Sequence, residues 1–415
     1  MKKLSLTMIG LIVYVSHLFA QFSNTQNLEF KAKKLSLQEV NLVNSYYTQT
    51  GGHSAVTGGL GNEKVTDLMN GIELKWVGYD DWGRKHTLST ELGIDHHTAA
   101  SAAFVSKTGA SSTTGTRIYP SLDWTQENTE RKQSFGLGIH LSGEYNYKSL
   151  GLDIHGSKGF NENTELQWKA SAFFDKVKQI YPSELIPAST TTTRVVTSAS
   201  RGSSTITSIL GGDDGIPSSP RNTFNLSLSL SQVINQRMQA SISFDPTTQN
   251  GYLGLPFHRV YTTDGSVHVE NLPSTRTKFP IGLRLNYFAD DHIIIRGFYR
   301  FYTDDWGIQS QTADIEVPVK FNAFLSLSPF FRYYVQTAAN YFAPYGMHKV
   351  SETYYTSNYA YSAFESEFIG SGLRASPPSG VLHIKQFSSI EVRYGHYLQN
   401  TGLQSDVISF HFTFK

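Results

Sequence analysis

Apolar and polar residues alternate with a period of two along most of this chain, and that alternation limits its fold more than any other feature. Residues 165–175, 224–231 and 238–245 show the pattern most clearly. Successive side chains of a β-strand point to opposite faces, so each segment has one apolar and one polar face. No long segment has helical periodicity. The sequence therefore predicts an all-β protein.

Two architectures use such strands: a soluble sandwich or propeller buries the apolar face, whereas a transmembrane barrel turns it to lipid. Segments 133–145 and 324–342 are longer than the roughly 5–6 residues of an average soluble strand. They suit the roughly 9–11 residues that cross a bilayer. Aromatic residues cluster at 298–302 and 330–334, as at a lipid–water interface. Strand length and aromatic placement favour the barrel.

Both ends of the chain agree with export to an outer membrane. Residues 1–20 begin with Lys2 and Lys3, continue with an apolar run and end at Ala20, which predicts a cleaved signal peptide. The rival interpretation, an uncleaved anchor, is disfavoured because the run is shorter than the ~20 residues of a spanning helix. The last strand places the rings of Phe410, Phe412 and Phe414 on one face, as many outer-membrane barrels do.

Composition excludes several other classes of protein. The chain has no cysteine, which rules out disulfides, thiol catalysis, thiolate zinc sites and a lipoprotein anchor. Lys and Arg number 35 against 34 Asp and Glu, for a net charge of +1, so the basic excess of a nucleic-acid-binding protein is missing. Charged residues make up 17% of the chain, fewer than the ~25% of a typical soluble domain.

The pattern predicts an antiparallel β-barrel over 38–415, preceded by a signal peptide (1–20) and a periplasmic lead-in (21–37). Sixteen strands are expected, with fourteen as the alternative, and an even number puts both termini in the periplasm. The predicted strands are 38–50, 67–79, 85–95, 116–125, 132–145, 148–160, 164–176, 222–232, 236–246, 279–289, 292–303, 307–320, 323–342, 358–372, 385–398 and 404–414. Short turns alternate with long loops, as in bacterial barrels with short periplasmic turns. The expected long outer loops are 51–66, 96–115, 177–221, 246–278 and 343–357.

The chain also resembles an uncharacterised outer-membrane family, found in Bacteroidota and some other Gram-negative bacteria, that carries a domain-of-unknown-function label. The stretches that carry the resemblance are 45–47, 54–67, 143–149, 254–261, 270–273, Arg276, 299–308 and 341–342. It spans nearly the whole mature chain. The resemblance implies an outer-membrane location and a barrel, but no substrate and no catalytic residue. Glycines in the first outer loop suggest tight turns or close backbone packing.

With the apolar face outward, a set of charged side chains falls inside the barrel. The predicted lumen candidates for ligand binding are Arg284, Arg296, Arg300, Asp314, Glu316, Arg332, Glu365, Glu367, Glu391 and Arg393. Other polar residues assigned to the lumen are Glu144, Asp153, His155, Glu165, Lys169, Asp175, Lys320 and Gln336. These charges form either cross-strand ion pairs that line the barrel or a constriction that selects polar solutes.

Neither a metal site, a cofactor nor an active site is predicted. His96 and His97 are adjacent, and adjacent strand residues point to opposite faces, so one ion cannot readily take both. The His and Asp residues that a hydrolase triad could use, such as His140, Asp153, His155 and Asp175, have no diagnostic spacing. We therefore expect a protein that is not an enzyme.

The leading function is that of a porin-like channel or binding barrel for a small polar or peptide-like solute. Its main rival is a non-conducting structural or assembly barrel that binds a periplasmic or envelope partner protein. An outer-membrane hydrolase is a third reading. Outer-membrane lipid and the barrel-insertion machinery are the other expected partners, and no nucleic acid is. Residues 177–221 are long enough to fold inward and plug the lumen.

Overall fold

The computed structural model describes residues 32–99, 114–185 and 216–415, and these form one closed antiparallel barrel of sixteen strands. The strands are β1 Lys33–Thr50, β2 Val65–Tyr79, β3 Lys85–Ala99, β4 Thr114–Asn128, β5 Gln133–Glu144, β6 Tyr147–Gly159, β7 Thr164–Lys178, β8 Ser218–Asn235, β9 Met238–Phe244 with Thr247–Gly251, β10 Thr275–Phe288, β11 Ile294–Asp304, β12 Gln309–Glu316 with Val319–Lys320, β13 Leu325–Gln336, β14 Phe364–Ala375, β15 Phe387–Gln399 and β16 Gln404–Phe414. A small hairpin, Arg259–Tyr261 with Val267–Val269, projects from the β9–β10 loop.

The barrel closes because β1 pairs on one side with β2 and on the other with β16. Val40 lies opposite Phe414 and Thr50 lies opposite Gln404, so the closing ladder runs along most of both strands. Every other strand pairs with its neighbours in sequence. The sheet thus has no free edge at this seam, which removes the unpaired backbone groups that lipid cannot satisfy.

Prolines account for the two interrupted strands. Pro246 divides β9 and Pro318 divides β12, because a proline has no N–H to donate to the ladder. The carbonyl of Pro246 still accepts a hydrogen bond from the N–H of Leu226 at 3.0 Å. The pairing register is the same before and after each proline, so both interruptions are local.

The outer face of the barrel is apolar and the inner face is polar. Leu283 is 52% exposed and Ile369 is 55% exposed, and both point outward. Leu137, Ile154, Phe224 and many other exposed apolar side chains share that orientation. Such a surface is unfavourable in water but matches lipid. Within the described ranges, no helix has the length and apolar character needed to cross a bilayer.

The structure confirms the predicted barrel and its sixteen strands, so the fourteen-strand alternative is wrong. The predicted thirteenth strand runs too far, since β13 ends at Gln336, and β14 begins at Phe364 rather than at 358. Residues 337–363 form a packed loop whose aromatic residues imitate a strand pattern. At the start of the chain, β1 includes residues 33–37, which the sequence had assigned to the lead-in. The signal peptide and the central part of the predicted plug, 186–215, lie outside the described residues.

An apolar cluster packs across the closing seam. Val40 and Leu42 of β1 contact Phe412 and Phe414 of β16, and Phe387 of β15 completes the buried group. The ring of Phe387 stacks on that of Phe414, with centroids 4.8 Å apart. Because these side chains belong to the first and the last two strands, they join the two ends of the barrel.

Replacing Phe414 by alanine should lower the free energy of unfolding by about 3–5 kcal/mol, the usual cost of removing a fully buried phenylalanine. Its side chain is 0% exposed, so its removal leaves a cavity at the seam. Denaturant titration of the barrel folded in lipid vesicles, followed by heat-modifiable gel migration, measures the change. Phe279→Ala is the matched control, because that ring is 43% exposed on the outer face and lipid can fill its place. Equal losses in the two variants would show that the seam cluster is not special.

Candidate functional site

One wall of the lumen, formed by β10–β13 and β15, carries most of the charges that the sequence assigned to the interior. On β11, Arg296 and Arg300 share a face that is opposite to the exposed Ile295 and Tyr299. The same rule places Arg284 inside, since Leu283 and Leu285 point outward. We call this set the arginine strip: Arg284, Arg296, Arg300, Asp314, Glu316, Arg332, Glu391 and Arg393.

Ion pairs link the strip across several strands. Glu316 of β12 accepts from Arg296 Nη1 at 2.8 Å and from Arg393 Nη2 at 2.7 Å. Arg332 Nε lies 3.0 Å from Asp314 Oδ2, and Arg393 Nη1 lies 3.2 Å from Glu391 Oε1. The contact between β12 and β15 passes over two intervening strands, which is possible only on the concave inner side of the wall. Four members of the strip, Arg296, Glu316, Arg393 and Glu391, therefore form one connected network, and Arg332 with Asp314 forms a separate pair.

Phenylalanine rings and a glycine shape the surface between these charges. The guanidinium of Arg284 lies 5.2 Å from the ring centroid of Phe298, and that of Arg393 lies 5.2 Å from Phe330, within cation–π range. A Cβ at Gly372 would lie 3.0 Å from Arg393 Cγ, so glycine there leaves room for the long side chain to cross β14. The side chains of Arg284, Phe298, Phe330 and Arg393 line a cavity of about 420 Å³.

The strip has an excess of positive charge. Its five arginines face three carboxylates, which leaves two positive charges. Arg284 and Arg300 are exposed to the lumen, and neither lies within 4 Å of a carboxylate of any described residue. Arginine binds carboxylates and phosphates through paired hydrogen bonds. The arrangement can therefore hold a small anion against an aromatic surface.

Two of the predicted lumen residues, Glu365 and Glu367, are on the wrong side. On β14, Phe368 lies opposite Arg332, whereas Glu367 lies opposite Tyr333 and shares the outward face of Ile369. The prediction failed because both faces of β14 carry large apolar side chains. Phe364 and Phe368 point inward while Ile369 and Leu373 point outward, so hydrophobicity alone does not set the orientation.

The opposite wall, formed by β4–β7, carries a compact group of His and Asp residues. The buried carboxylate of Asp153 lies 2.5 Å from His140 Nε2, 2.9 Å from His155 Nδ1 and 3.2 Å from Lys169 Nζ. Asp123 joins the group, with Oδ2 3.7 Å from His155 Nδ1. Sequence reasoning named His140, Asp153 and His155 together but predicted no site from them, and it missed Asp123. The sequence signal for this group was the pair Asp153 and His155, which are two residues apart and therefore lie on the same face of β6.

The remaining predicted lumen residues are more dispersed. Glu144 Oε1 lies 3.2 Å from His97 Nε2, while His96 points to the outer face and its Nδ1 lies 3.0 Å from Thr116 Oγ1. The two adjacent histidines therefore do not converge. Gln336 is buried and donates to the carbonyls of the β13–β14 loop instead of lining the lumen. The other members of the predicted set that face inward are Glu165, Asp175 and Lys320.

The described parts of three long loops on the opposite side from the termini pack together around a buried arginine. Arg259, in the β9–β10 loop (252–274), is 1% exposed. Its Nη1 donates to the carbonyl of Val56 in the β1–β2 loop (51–64) at 2.7 Å, and its Nε donates to Glu184 of the β7–β8 loop at 2.7 Å. We call these three loops, together with the β13–β14 loop (337–363), the cap.

The buried carboxylate of Glu270 joins two of the cap loops at a second place. Thr356 of the β13–β14 loop donates to Glu270 Oε1 at 2.5 Å, and the N–H of Leu255 donates to Oε2 at 3.0 Å. His258 Nδ1 is 3.4 Å from Oε2. Burial alone would raise the pKa of Glu270, but the nearby His258 and these hydrogen bonds hold the pKa below its usual value of about 4.5. Glu270 is thus held as an ion.

The glycines of the β1–β2 loop are needed for close packing, as the sequence suggested. Gly58 and Gly59 have φ of +80° and +90°, the left-handed region that glycine adopts without strain. A Cβ at Gly59 would lie 2.8 Å from the carbonyl oxygen of Ser357. Nearby, the ring of His53 stacks on Tyr359 with centroids 3.7 Å apart. The β1–β2 and β13–β14 loops are therefore in direct contact.

A tryptophan in the short β11–β12 turn anchors the β13–β14 loop of the cap. Asp304 accepts from the N–H groups of Trp306 and Ile308, which fixes the turn, and Trp306 Nε1 donates to the carbonyl of Thr275 at 2.8 Å. The indole packs edge-on against Tyr341 and Tyr361. The β13–β14 loop is therefore attached to the rim of the barrel.

These contacts cross the mouth of the barrel. In the closed order of strands, β1 and β2 lie half the circumference away from β9 and β10. Loops from opposite walls can meet, as Arg259 and Val56 do, only by extending over the opening. The cap therefore covers the mouth, and the lumen with its arginine strip lies beneath it.

One family model matches the chain, and several solved structures are similar to it. The family model described as a protein of unknown function, DUF3570, matches residues 96–406. No curated protein matches the chain. Similar solved structures include the outer membrane protein OprD of Pseudomonas aeruginosa, which is 9% identical with a TM-score of 0.41 over 94% of this chain and 97% of that chain. OccD3 of Pseudomonas aeruginosa is 8% identical, with 0.42 over 93% and 92%. A bacterial polysaccharide outer membrane secretin is 9% identical, with 0.42 over 94% and 99%. Likeness at this level says nothing about what the chain binds.

Lowering the pH should loosen the cap. Because the pKa of Glu270 is lowered in the folded cap, its stabilising effect is complete above about pH 4.5 and is lost as the pH falls through the lower folded value. Limited proteolysis of the cap loops between pH 3 and pH 7, with an acid-tolerant protease, measures the opening. Glu270→Gln should be cleaved readily already at neutral pH, with little further pH dependence.

Asp264→Asn is the control for this experiment, because that carboxylate lies at the solvent-exposed tip of the same loop. Hydrogen bonds from Thr262 and Ser266 hold its pKa at about 2, so it stays ionised through most of the range. The control should retain the pH response of the unchanged protein. An identical pH response in Glu270→Gln would contradict the role assigned to Glu270.

Proposed function

The chain belongs to the DUF3570 family, and from the chemistry of its lumen we propose that it is a porin-like outer-membrane channel for small anionic solutes. The observation that carries the proposal is the arginine strip, in which Arg284 and Arg300 face the lumen without a carboxylate partner among the described residues. A barrel of about sixteen strands is wide enough to leave an aqueous channel. Arginines lining such a channel favour anions.

The surface around the two arginines suggests the kind of anion. A carboxylate can take paired hydrogen bonds from Arg284 or Arg300 while an apolar part of the solute lies against Phe298 or Phe330. The neighbouring carboxylates of Glu316 and Asp314 are already paired with Arg296, Arg393 and Arg332. Small carboxylates that carry an apolar part meet both requirements. No chemical step is part of this function, so no catalytic residue or cofactor is assigned.

The lengths of the connections support one orientation of the barrel in the membrane. The long connections all follow odd-numbered strands, and the connections at the other end are mostly short. Bacterial barrels keep short turns in the periplasm. We therefore place the cap outside the cell and both termini in the periplasm, with outer-membrane lipid around the apolar face and the insertion machinery as a partner during assembly.

Removing the two unpaired arginines should reduce anion selectivity. In water, a charge near a passing ion changes its energy by about 1 kcal/mol at close range. The combined change Arg284→Gln and Arg300→Gln should therefore lower the anion-to-cation permeability ratio several-fold. The reversal potential in planar bilayers under a KCl gradient measures that ratio. Arg131→Gln, at an exposed turn outside the lumen, is the matched control. An unchanged ratio in a folded double variant contradicts the proposal.

Opening the cap should raise conductance. Arg259→Ala removes the hydrogen bonds of a buried charged group to Val56 and Glu184, each worth about 1.5–3 kcal/mol. Single-channel recordings of the variant should show larger or more frequent open steps than those of the unchanged chain. Equal conductance in the two proteins, with both folded by heat-modifiable migration, would mean that the cap does not control passage.

A packed cap also favours a second candidate function, a barrel that binds a partner protein and does not conduct. The supporting observation is that loops from opposite walls form one ordered surface instead of separate arms. The same recordings separate the two functions. Silence from the unchanged chain and from Arg259→Ala, with both barrels folded, would favour partner binding.

A further inference from the structure

Three donor atoms converge on one point of the wall opposite the arginine strip. His155 Nδ1, a carboxylate oxygen of Asp153 and one of Asp123 all lie within 4.8 Å of one another. We propose that these three residues bind a divalent first-row transition-metal ion in the lumen. The site is independent of the anion channel, because none of its residues belongs to the arginine strip.

The pairing register of three strands builds the site. Gly138 of β5 lies opposite Asp123 of β4 on one side and opposite Asp153 of β6 on the other. Gly136 lies in the same way between Thr125 and His155. A Cβ at Gly138 would be 2.1 Å from Asp153 Oδ2, and one at Gly136 would be 2.1 Å from His155 Nε2. Glycine at both central positions therefore leaves the space in which the donors meet.

Neighbouring groups hold one oxygen of each carboxylate and leave the other directed at His155. His140 Nε2 and Lys169 Nζ contact Oδ2 of Asp153, while Oδ1 lies 2.9 Å from His155 Nδ1. Thr125 donates to Oδ1 of Asp123 at 3.2 Å, while Oδ2 lies 3.7 Å from His155 Nδ1. The two remaining oxygens and the nitrogen thus form an open triangle.

The imidazole of His155 is oriented for ligation. Its Nε2 lies 3.0 Å from Thr125 Oγ1. The hydroxyl oxygen can accept a hydrogen bond from the Nε2–H group, which leaves the Nδ1 lone pair for a metal. Bonds of about 2.0–2.2 Å to an ion place tetrahedral ligands about 3.2–3.6 Å apart. The observed separations of 2.9 Å and 3.7 Å bracket that range, so small side-chain shifts accommodate an ion. When the ion binds, it replaces any proton shared between His155 and Asp153, and that proton goes to solvent.

The site is reached through the lumen and keeps a free coordination position. Asp123 and His155 line a cavity of about 380 Å³ together with Lys169 and Glu165. The side chain of Asp153, which contacts His155, is 0% exposed. One imidazole with two carboxylates suits Zn²⁺, Cu²⁺ or Ni²⁺ better than Mg²⁺ or Ca²⁺, which prefer only oxygen donors. A water molecule or a donor atom of a solute can complete the coordination.

Metal titration of the full, tag-free barrel tests this inference. After dialysis against a chelator, isothermal titration with ZnCl₂ should give one tight site per chain. The Cu²⁺-loaded protein should show nitrogen coupling from an imidazole in its paramagnetic resonance spectrum. Asp123→Asn, which preserves side-chain volume, should weaken binding by at least the roughly 10- to 100-fold that loss of an outer-shell partner costs. His155→Ala should also abolish the nitrogen coupling.

His96→Ala is the matched control, because that histidine is exposed on the outer face of the neighbouring strand β3. It should bind as the unchanged chain does, and so should the variant that lacks Arg284 and Arg300. Heat-modifiable migration shows that each variant is folded. The proposal is overturned if the unchanged barrel does not bind the metal tightly. It is also overturned if folded Asp123→Asn and His155→Ala bind the metal as tightly as the unchanged chain does. Neither result bears on anion selectivity, so the two proposals fail separately.

Discussion

The ladder that joins β1 to β16 is the constraint on which the rest of the structure depends. In lipid, every backbone N–H and C=O of a spanning strand needs a partner within the protein. The pairing from Val40 with Phe414 to Thr50 with Gln404 supplies those partners at the seam. Closure also fixes which strands face each other. The arginine strip and the His–Asp group lie on opposite walls only because β16 returns to β1.

In a closed barrel, the period-two alternation of the sequence predicts which side chains face the lumen, but it does not do so for every strand. The sixteen strands and eight of the ten lumen candidates follow from period two and an apolar outer face. Glu365 and Glu367 do not, because Phe364 and Phe368 give β14 apolar residues on its inner side as well. The predicted end of β13 was wrong for a related reason. Tyr341 has the spacing of a strand residue, but it packs on Trp306 within the cap.

Other features depend on contacts between distant segments, which no local pattern encodes. The strands that carry the loops of Arg259 and Val56 are half the barrel circumference apart, and only the folded loops show that the two residues meet. Part of the His–Asp group can be predicted from the sequence. Asp153 and His155 share a strand face, but the addition of Asp123 depends on a register in which Gly138 lies opposite both carboxylate residues. A shift of one residue in β5 would separate the group.

The charges of the cap are paired mainly between loops, and this affects how the cap can open. Arg259 is held by the β1–β2 and β7–β8 loops, and Glu270 is held in part by Thr356 of the β13–β14 loop. Moving the β7–β8 loop alone would remove Glu184 from the buried Arg259, and moving the β13–β14 loop alone would remove Thr356 from Glu270. Loss of such a partner is costly for a buried charge. Several loops must therefore move together, or hydrated partners must replace the contacts that are broken.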